Sequence, residues 1–358
     1  MYKNLARALL CAILAAPLAA WAAGARVPLE IGFVYMSPIG DAGWTYQHDL
    51  GRRAMEKALG DKVRTTVVES VAEGPDAERV MRDLARSGSK LIFATSFGYL
   101  EPALRVAADS PDVRFEQAGG YKTAPNLNTY NARYYEGRYL AGLLAGKVSK
   151  SGIAGYVAGF PVPEVIQGIN AFALGMRAAN PNAVVKVVWL DTWFDPPRER
   201  DAALALVNQG ADVLSNHSAS TAVVQAAEEK GVGVIAYQSD MRRIAPHAQL
   251  TAVVADWGAY YTRVARSVLD GTWRAEPVWG GMKDGFVRLA PLNASVPKDV
   301  AAFVAAREAD LVAGRLQPFA GRIIDREGRV RLQGGVMQDA QIATMNYFVA
   351  GVVGTLPQ

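Results

Sequence analysis

SGIAGYVAGFPVPEVIQGINAFALGMRAANPNAVVKVVWL, residues 151–190, decides how the chain is organised. A Ser-Gly turn opens it, and Ile153 to Ala158 then runs apolar for six residues, the length and composition of a buried strand. Pro163 to Ala179 carries helical spacing, and Val184 to Leu190 is a second apolar strand. The same rhythm has already run once upstream. Leu29 to Tyr35 and Val63 to Glu69 read as strands around a helix from Gly43 to Leu59. Glu78 to Ser87 reads as a helix, Leu91 to Thr95 and Arg114 to Gln117 as strands, and Tyr139 to Val148 as a helix.

Downstream, helices over Glu199 to Gln209 and Ala222 to Lys230 alternate with strands at Val213 to Ser215 and Val232 to Tyr237. Apolar strands alternating with helices signal parallel sheets covered on both faces. The pattern therefore predicts an α/β protein of two doubly wound, Rossmann-like lobes. After Leu250 come a strand to Ala255, a helix through Tyr260 to Leu269, and strands near Gly285 to Leu289, which are expected to form a multi-strand hinge. The expected first lobe is residues 23–150 plus about 251–288, and the second is 151–250 plus about 289–358.

Lys3 and Arg7 precede an apolar run from Ala8 to Ala20, and Ala20-Trp21-Ala22 offers a small-x-small cleavage pattern. Residues 1–22 thus read as an export signal, and a periplasmic product is expected. The single cysteine, Cys11, lies inside it, so the rest of the chain has no thiol for nucleophilic catalysis, disulfides or zinc–thiolate sites. The 358 residues carry 38 Lys and Arg against 34 Asp and Glu, with the basic residues dispersed; this argues against nucleic acid as a partner. Neither a G-x-S-x-G elbow nor H-E-x-x-H occurs, and Gly142 to Val148 departs from a phosphate loop in spacing. No cofactor is expected.

Open parallel sheets bind ligands beyond the carboxyl ends of their strands. Those ends carry Asp41, Trp44 and Thr45 after the first strand and Phe97 and Tyr99 after the third. In the second lobe they carry Trp193, Phe194, Asn216, His217, Gln238 and Asp240. Aromatic residues beside Asp, Asn, Gln and Ser suit a flat uncharged ring with donors and acceptors on its rim. A sugar site has a similar composition. Each residue also has a plain structural reading: Trp44 as core, Asp41 and Asp240 as helix caps, His217 as a backbone partner.

The ordered set IGFVYMSPIGDAGWTYQHDLGR (31–52), EGRYLAGLLAG (136–146), FDPPRERDAALALVNQGADVL (194–214) and GVIAYQSDM (233–241) resembles the basic membrane protein family of ABC-transporter solute-binding proteins, the group that includes purine nucleoside receptors. The resemblance runs from about Pro28 to Val349. It implies a type I periplasmic-binding-protein fold, closure of two lobes on a purine nucleobase or nucleoside, and delivery to a membrane ABC permease, with the receptor expected as a monomer. By motif, it implies stacking by Trp44 and Trp193 and a ligand contact from Asp240. One departure bears on the ligand. Where nucleoside binders tend to carry a ribose-contacting lysine, this chain reads Val253 to Gly258 with Trp257. An indole in that place implies a free base such as adenine. A nucleoside binder, a nucleoside-hydrolase-like enzyme and a ligand-sensing receptor are the alternatives.

Overall fold

The computed structural model describes residues 27–357, so the expected export signal and Cys11 lie outside the described residues. In the first half of the chain, strands β1 (Leu29–Val34), β2 (Val63–Val68), β3 (Leu91–Ala94), β4 (Arg114–Ala118) and β5 (Leu127–Ala132) alternate with helices α1 (Trp44–Leu59), α2 (Pro75–Arg86) and α3 (Leu100–Asp109). Helix α4 (Tyr134–Val148) leads into the second half. There β6 (Ile153–Ala158), β7 (Val184–Trp189), β8 (Val213–His217), β9 (Gly233–Gln238) and β10 (Gln249–Ala255) alternate with α5 (Pro163–Ala179), α6 (Pro196–Asn208) and α7 (Ala222–Lys230). The remainder holds α8 (Gly258–Leu269), β11 (Val278–Gly280), β12 (Val287–Leu289), α9 (Lys298–Val312), a β13 (Ile323–Ile324) and β14 (Val330–Leu332) pair, α10 (Asp339–Ala343) and β15 (Val352–Val353).

Two sheets result. The first is all parallel, in the order β11-β5-β4-β3-β1-β2. The second runs β12-β10-β9-β8-β6-β7-β15, parallel except for the β10–β12 pair. Helices cover both faces, which is why Ile31, Phe33, Leu91 and Phe93 are all fully buried. Phe33 stacks on Phe93 with ring centroids 4.7 Å apart, and each such side chain contributes about 1.5–3 kcal/mol by leaving water.

The chain passes between the sheets three times: from β5 to α4, from β10 to α8, and from β11 to β12. A multi-strand hinge is present, but the crossings differ from the expected boundaries. Helix α4, expected with the first lobe, packs along α5. Gly142 and Gly146 permit this: a Cβ at Gly142 would lie 2.1 Å from the Phe172 carbonyl, and one at Gly146 2.4 Å from that of Met176. Strand β10, placed mostly with the first lobe, pairs with β9 in the second sheet. Strand–helix counting locates elements but does not say which sheet a connecting helix covers. Among the described residues no helix is long and apolar enough to cross a membrane.

Candidate functional site

The carboxyl ends of both sheets meet at one cavity, about 500 Å³ of space between atoms when its open mouth is counted. Met36, Trp44, Ser96, Phe97, Ala118 and Gly119 line it from the first lobe; Val162, Glu164, Trp193, His217, Ser218, Ala219, Tyr237 and Gln238 line it from the second. Most of that wall is apolar or aromatic.

Trp44 is the first residue of α1, and its plane is fixed from two sides. The indole Nε1 donates to the Thr95 carbonyl at 2.7 Å. Behind it lies His48, 4.6 Å away between ring centroids, and behind His48 lies Trp257, stacked at 5.1 Å and 7°. Full burial pushes the His48 pKa down to about 3, so its ring is neutral, with Nδ1 against the Tyr261 hydroxyl. The opposite lobe supplies Trp193 from the loop after β7. Its ring meets Phe160 edge-on at 4.9 Å and rests on Gly159, where a Cβ would stand only 2.6 Å from Trp193 Cε3.

Polar groups on the wall are few. Glu164, in the first turn of α5, accepts from Asn131 Nδ2 of the first lobe at 2.7 Å and lies 3.4 Å from His217 Nε2. Burial lowers the His217 pKa, a shift that the Glu164 carboxylate opposes; Nδ1 of His217 has no partner. Gln238, at the end of β9, is buried with a left-handed φ of 66°, and neither atom of its amide is partnered. Behind Tyr237 the guanidinium of Arg138 sits fully buried, 3.8 Å from the phenol centroid, donating to Ser215 Oγ and the Asn216 carbonyl.

The lobes also touch directly. Gly43 N–H donates to Ser239 Oγ at 3.0 Å, and that hydroxyl faces the Gly43 carbonyl and Gln47 Oε1 at 3.2 Å each. With the Asn131–Glu164 bond, this ties the two lobes together at two places.

Of the residues singled out from sequence, Trp44, Phe97, Trp193, His217 and Gln238 come together on the wall. The others sit elsewhere. Asp41 is exposed in the turn before α1. Thr45 is buried against Ser37 Oγ at 2.7 Å, and Tyr99 is core, its hydroxyl donating to the Val71 carbonyl. Phe194 lies half-buried in the loop beyond Trp193, and the Asn216 amide turns to Ser218. Asp240 is held by Arg242 and by Gln249 Nε2, the latter at 2.8 Å. Trp257, expected to fill a ribose pocket, is buried two rings behind the cavity, where it packs on His48 and Tyr130. Sequence reasoning missed Glu164 and Tyr237. The available signal for Glu164 was an acid just after Pro163 at the start of a helix that follows a buried strand; Tyr237 reads as the last residue of a buried strand, one position short of the strand-end residues singled out.

Comparison with known proteins gives this architecture relatives. A family model for PnrA-like ABC transporter substrate-binding proteins matches residues 29–309. A purine-binding protein of Brucella abortus is 52% identical over 338 residues, covering 94% of this chain and 96% of that one. A putative ABC transporter glucose-binding protein of Haloferax volcanii is 39% identical over 329 residues, covering 92% and 81%. Among solved structures, a solute-binding protein of an ABC transporter system from Aeropyrum pernix superposes with a TM-score of 0.70 at 18% identity, covering 81% of this chain and 93% of that one. A glucose-galactose binding protein from Geobacillus stearothermophilus superposes at 0.56, with 13% identity and 75% and 99% coverage. The fold is that of the type I periplasmic binding proteins.

Proposed function

The chain belongs to the PnrA-like family of ABC transporter substrate-binding proteins, and from that premise we propose that its cleft binds a purine, as the free base, and presents it to a membrane ABC permease outside the cytoplasm. The observation that carries this reading is the pair of indoles, Trp44 and Trp193, brought from opposite lobes to one largely apolar cavity. Aromatic side chains contributed from both lobes to one cavity suit a flat heteroaromatic ring better than a puckered sugar. The purine-binding Brucella abortus relative supports the same ligand class.

Polarity supports the base over the nucleoside. A ribose brings three hydroxyls, yet the wall has no lysine, arginine or aspartate to meet them, and Asp240 is committed to Arg242 and Gln249. Its one carboxylate, Glu164, can accept from the imidazole N–H that a free base carries and a nucleoside has replaced by sugar. A purine of about ten heavy atoms, at roughly 0.8–1 kcal/mol each, gains about 8–10 kcal/mol, a dissociation constant near or below about 1 μM. Closure then reports occupancy to the permease, because a ligand shifts the open–closed balance only by its differential affinity for the two states.

Titration calorimetry with adenine, adenosine and glucose tests the reading. Adenine is expected to bind tightest; tighter binding of adenosine overturns the free-base assignment, and tighter binding of glucose overturns the purine one. Chromatography of adenosine incubated with the protein separates a receptor, which returns it intact, from a hydrolase, which releases adenine.

A further inference from the structure

We propose that Gln238 reads the six-position edge of the ring and selects a 6-amino over a 6-oxo purine, an inference that rests on the purine reading above. The loop Gln238-Ser239-Asp240 closes the end of β9. Two of its three polar side chains are already engaged: Ser239 with Gly43 and Gln47 of the opposite lobe, and Asp240 with Arg242 and Gln249. Gln238 alone has no well-formed hydrogen bond. It lies on the cavity wall with 1% of its surface exposed, and its amide sits beside the Tyr134 and Tyr237 hydroxyls, yet neither Nε2 nor Oε1 is in hydrogen-bond geometry with a partner. A buried amide with neither end satisfied is an exception in folded proteins and calls for a specific reason. Its backbone adds a second exception, since a φ of 66° is a left-handed conformation that residues with a Cβ seldom hold. Strained, under-satisfied residues collect at ligand sites. The ligand completes what the closed protein leaves open.

The chemistry of the missing partner follows from the carboxamide, which presents one donor beside one acceptor. Adenine offers the complement along one edge, with N7 accepting and the N6 amino group donating; this is the pairing by which Asn and Gln recognise adenine in nucleic acids. A 6-oxo purine with its imidazole hydrogen on N9, where Glu164 would accept it, offers two acceptors there, N7 and O6, so one end of the amide faces a like group. Rotating the amide by 180° relieves the conflict only for the N7–H tautomer, which gives up the N9–H that Glu164 would accept.

Calorimetry with adenine, hypoxanthine and 7-deazaadenine, in which N7 becomes a C–H, tests this on the unaltered protein. Adenine is expected to bind about 10- to 100-fold tighter than hypoxanthine, with 7-deazaadenine falling between them. In Gln238→Ala, checked for folding by its melting curve, the three ligands should converge to within about threefold through loss of adenine affinity. Hypoxanthine binding as tightly as adenine to the unaltered protein overturns the proposal while leaving the purine reading standing. Discrimination that persists in Gln238→Ala overturns it as well. If none of the three binds, the purine reading fails and the proposal with it.

Discussion

Gly43 is the position at which the shut molecule has no room for a side chain, and Gly43→Ala isolates the energy of closure. Its φ is 97°, and a Cβ would stand 2.3 Å from the carbonyl oxygen of Ala219 in the opposite lobe. Carbon and oxygen settle no closer than about 3.3 Å, so the lobes must part locally by about 1 Å. At that separation the 3.0 Å bond from Gly43 N–H to Ser239 Oγ exceeds hydrogen-bond range, as does the 3.2 Å contact to the Gly43 carbonyl. Two such bonds at about 0.5–1.5 kcal/mol each give about 1–3 kcal/mol against the closed form, a loss of affinity of about 5- to 150-fold. The strained backbone costs a further 1–3 kcal/mol, roughly, whether the jaws are open or shut. That part appears as a lower melting temperature without ligand, and the closure part as weaker binding. Calorimetry with adenine reads the second, and small-angle scattering with and without saturating adenine reads the contraction itself. Ser239→Ala, which removes the same bonds without the clash, should lose a similar amount of affinity while keeping the melting temperature without ligand closer to that of the parent. A Gly43→Ala protein that binds adenine within twofold of the parent and contracts as fully refutes the argument.

Three further outcomes are expected. Trp193→Ala should weaken adenine binding at least about tenfold, as expected for loss of a stacked aromatic face, with the melting temperature little changed; unaltered affinity would take Trp193 out of the site. Glu164→Gln keeps the shape but removes the charge, and a charge-assisted hydrogen bond is about twice as strong as a neutral one. Adenine affinity should fall about tenfold, and an unchanged dissociation constant in calorimetry would contradict this. Glu116 makes a pH prediction. Its buried carboxyl, which accepts from Tyr260, Trp273 and Asn128, is pushed by desolvation from 4.5 up to about 7. Folding therefore takes up a proton between about pH 4.5 and 7, and stability falls as pH rises through that window, by up to about 3 kcal/mol. Urea unfolding at pH 5 and 7.5 should show a smaller difference in Glu116→Gln than in the parent; equal differences would refute it.

How much was legible in the sequence depended on where hydrophobicity alone decides. Strands β1 and β6, buried on both faces, read directly as apolar runs, and so does β7, buried on one face, half-buried on the other and apolar but for Lys186. Strand β5, LNTYNA, did not, because its polar residues are buried for specific bonds: Asn128 Nδ2 donates to Glu116, and Asn131 Nδ2 to Glu164. Helix α3 carries Pro102 in its first turn, where a missing N–H costs nothing, but a proline within an apolar pattern reads as a break. The site was half legible for a related reason. Strand-end position separates neither Trp193 from Phe194 nor Gln238 from Asp240, since whether each faces the cavity or a neighbour is set by contacts such as Arg242 that lie in local three-dimensional geometry.

The displacement of Trp257 changes the ground on which a free base is argued. A tryptophan in the cavity would exclude ribose by bulk, and any small ligand of the right shape would then be admitted. Buried as it is, Trp257 acts through His48, holding Trp44 from behind in a column of neutral rings. Under the free-base proposal, exclusion of the sugar then falls to polarity. A ribose in this cleft would give up water for walls that offer its hydroxyls few partners, and an unpaired hydroxyl costs about 1–3 kcal/mol. Each hydroxyl left unpaired would set that cost against the apolar contact that a sugar's carbons gain. The two accounts predict different behaviour for Trp257→Phe. If the indole excluded ribose by bulk, the smaller ring would raise adenosine affinity. If it braces Trp44, adenosine gains nothing and adenine affinity falls by a few-fold.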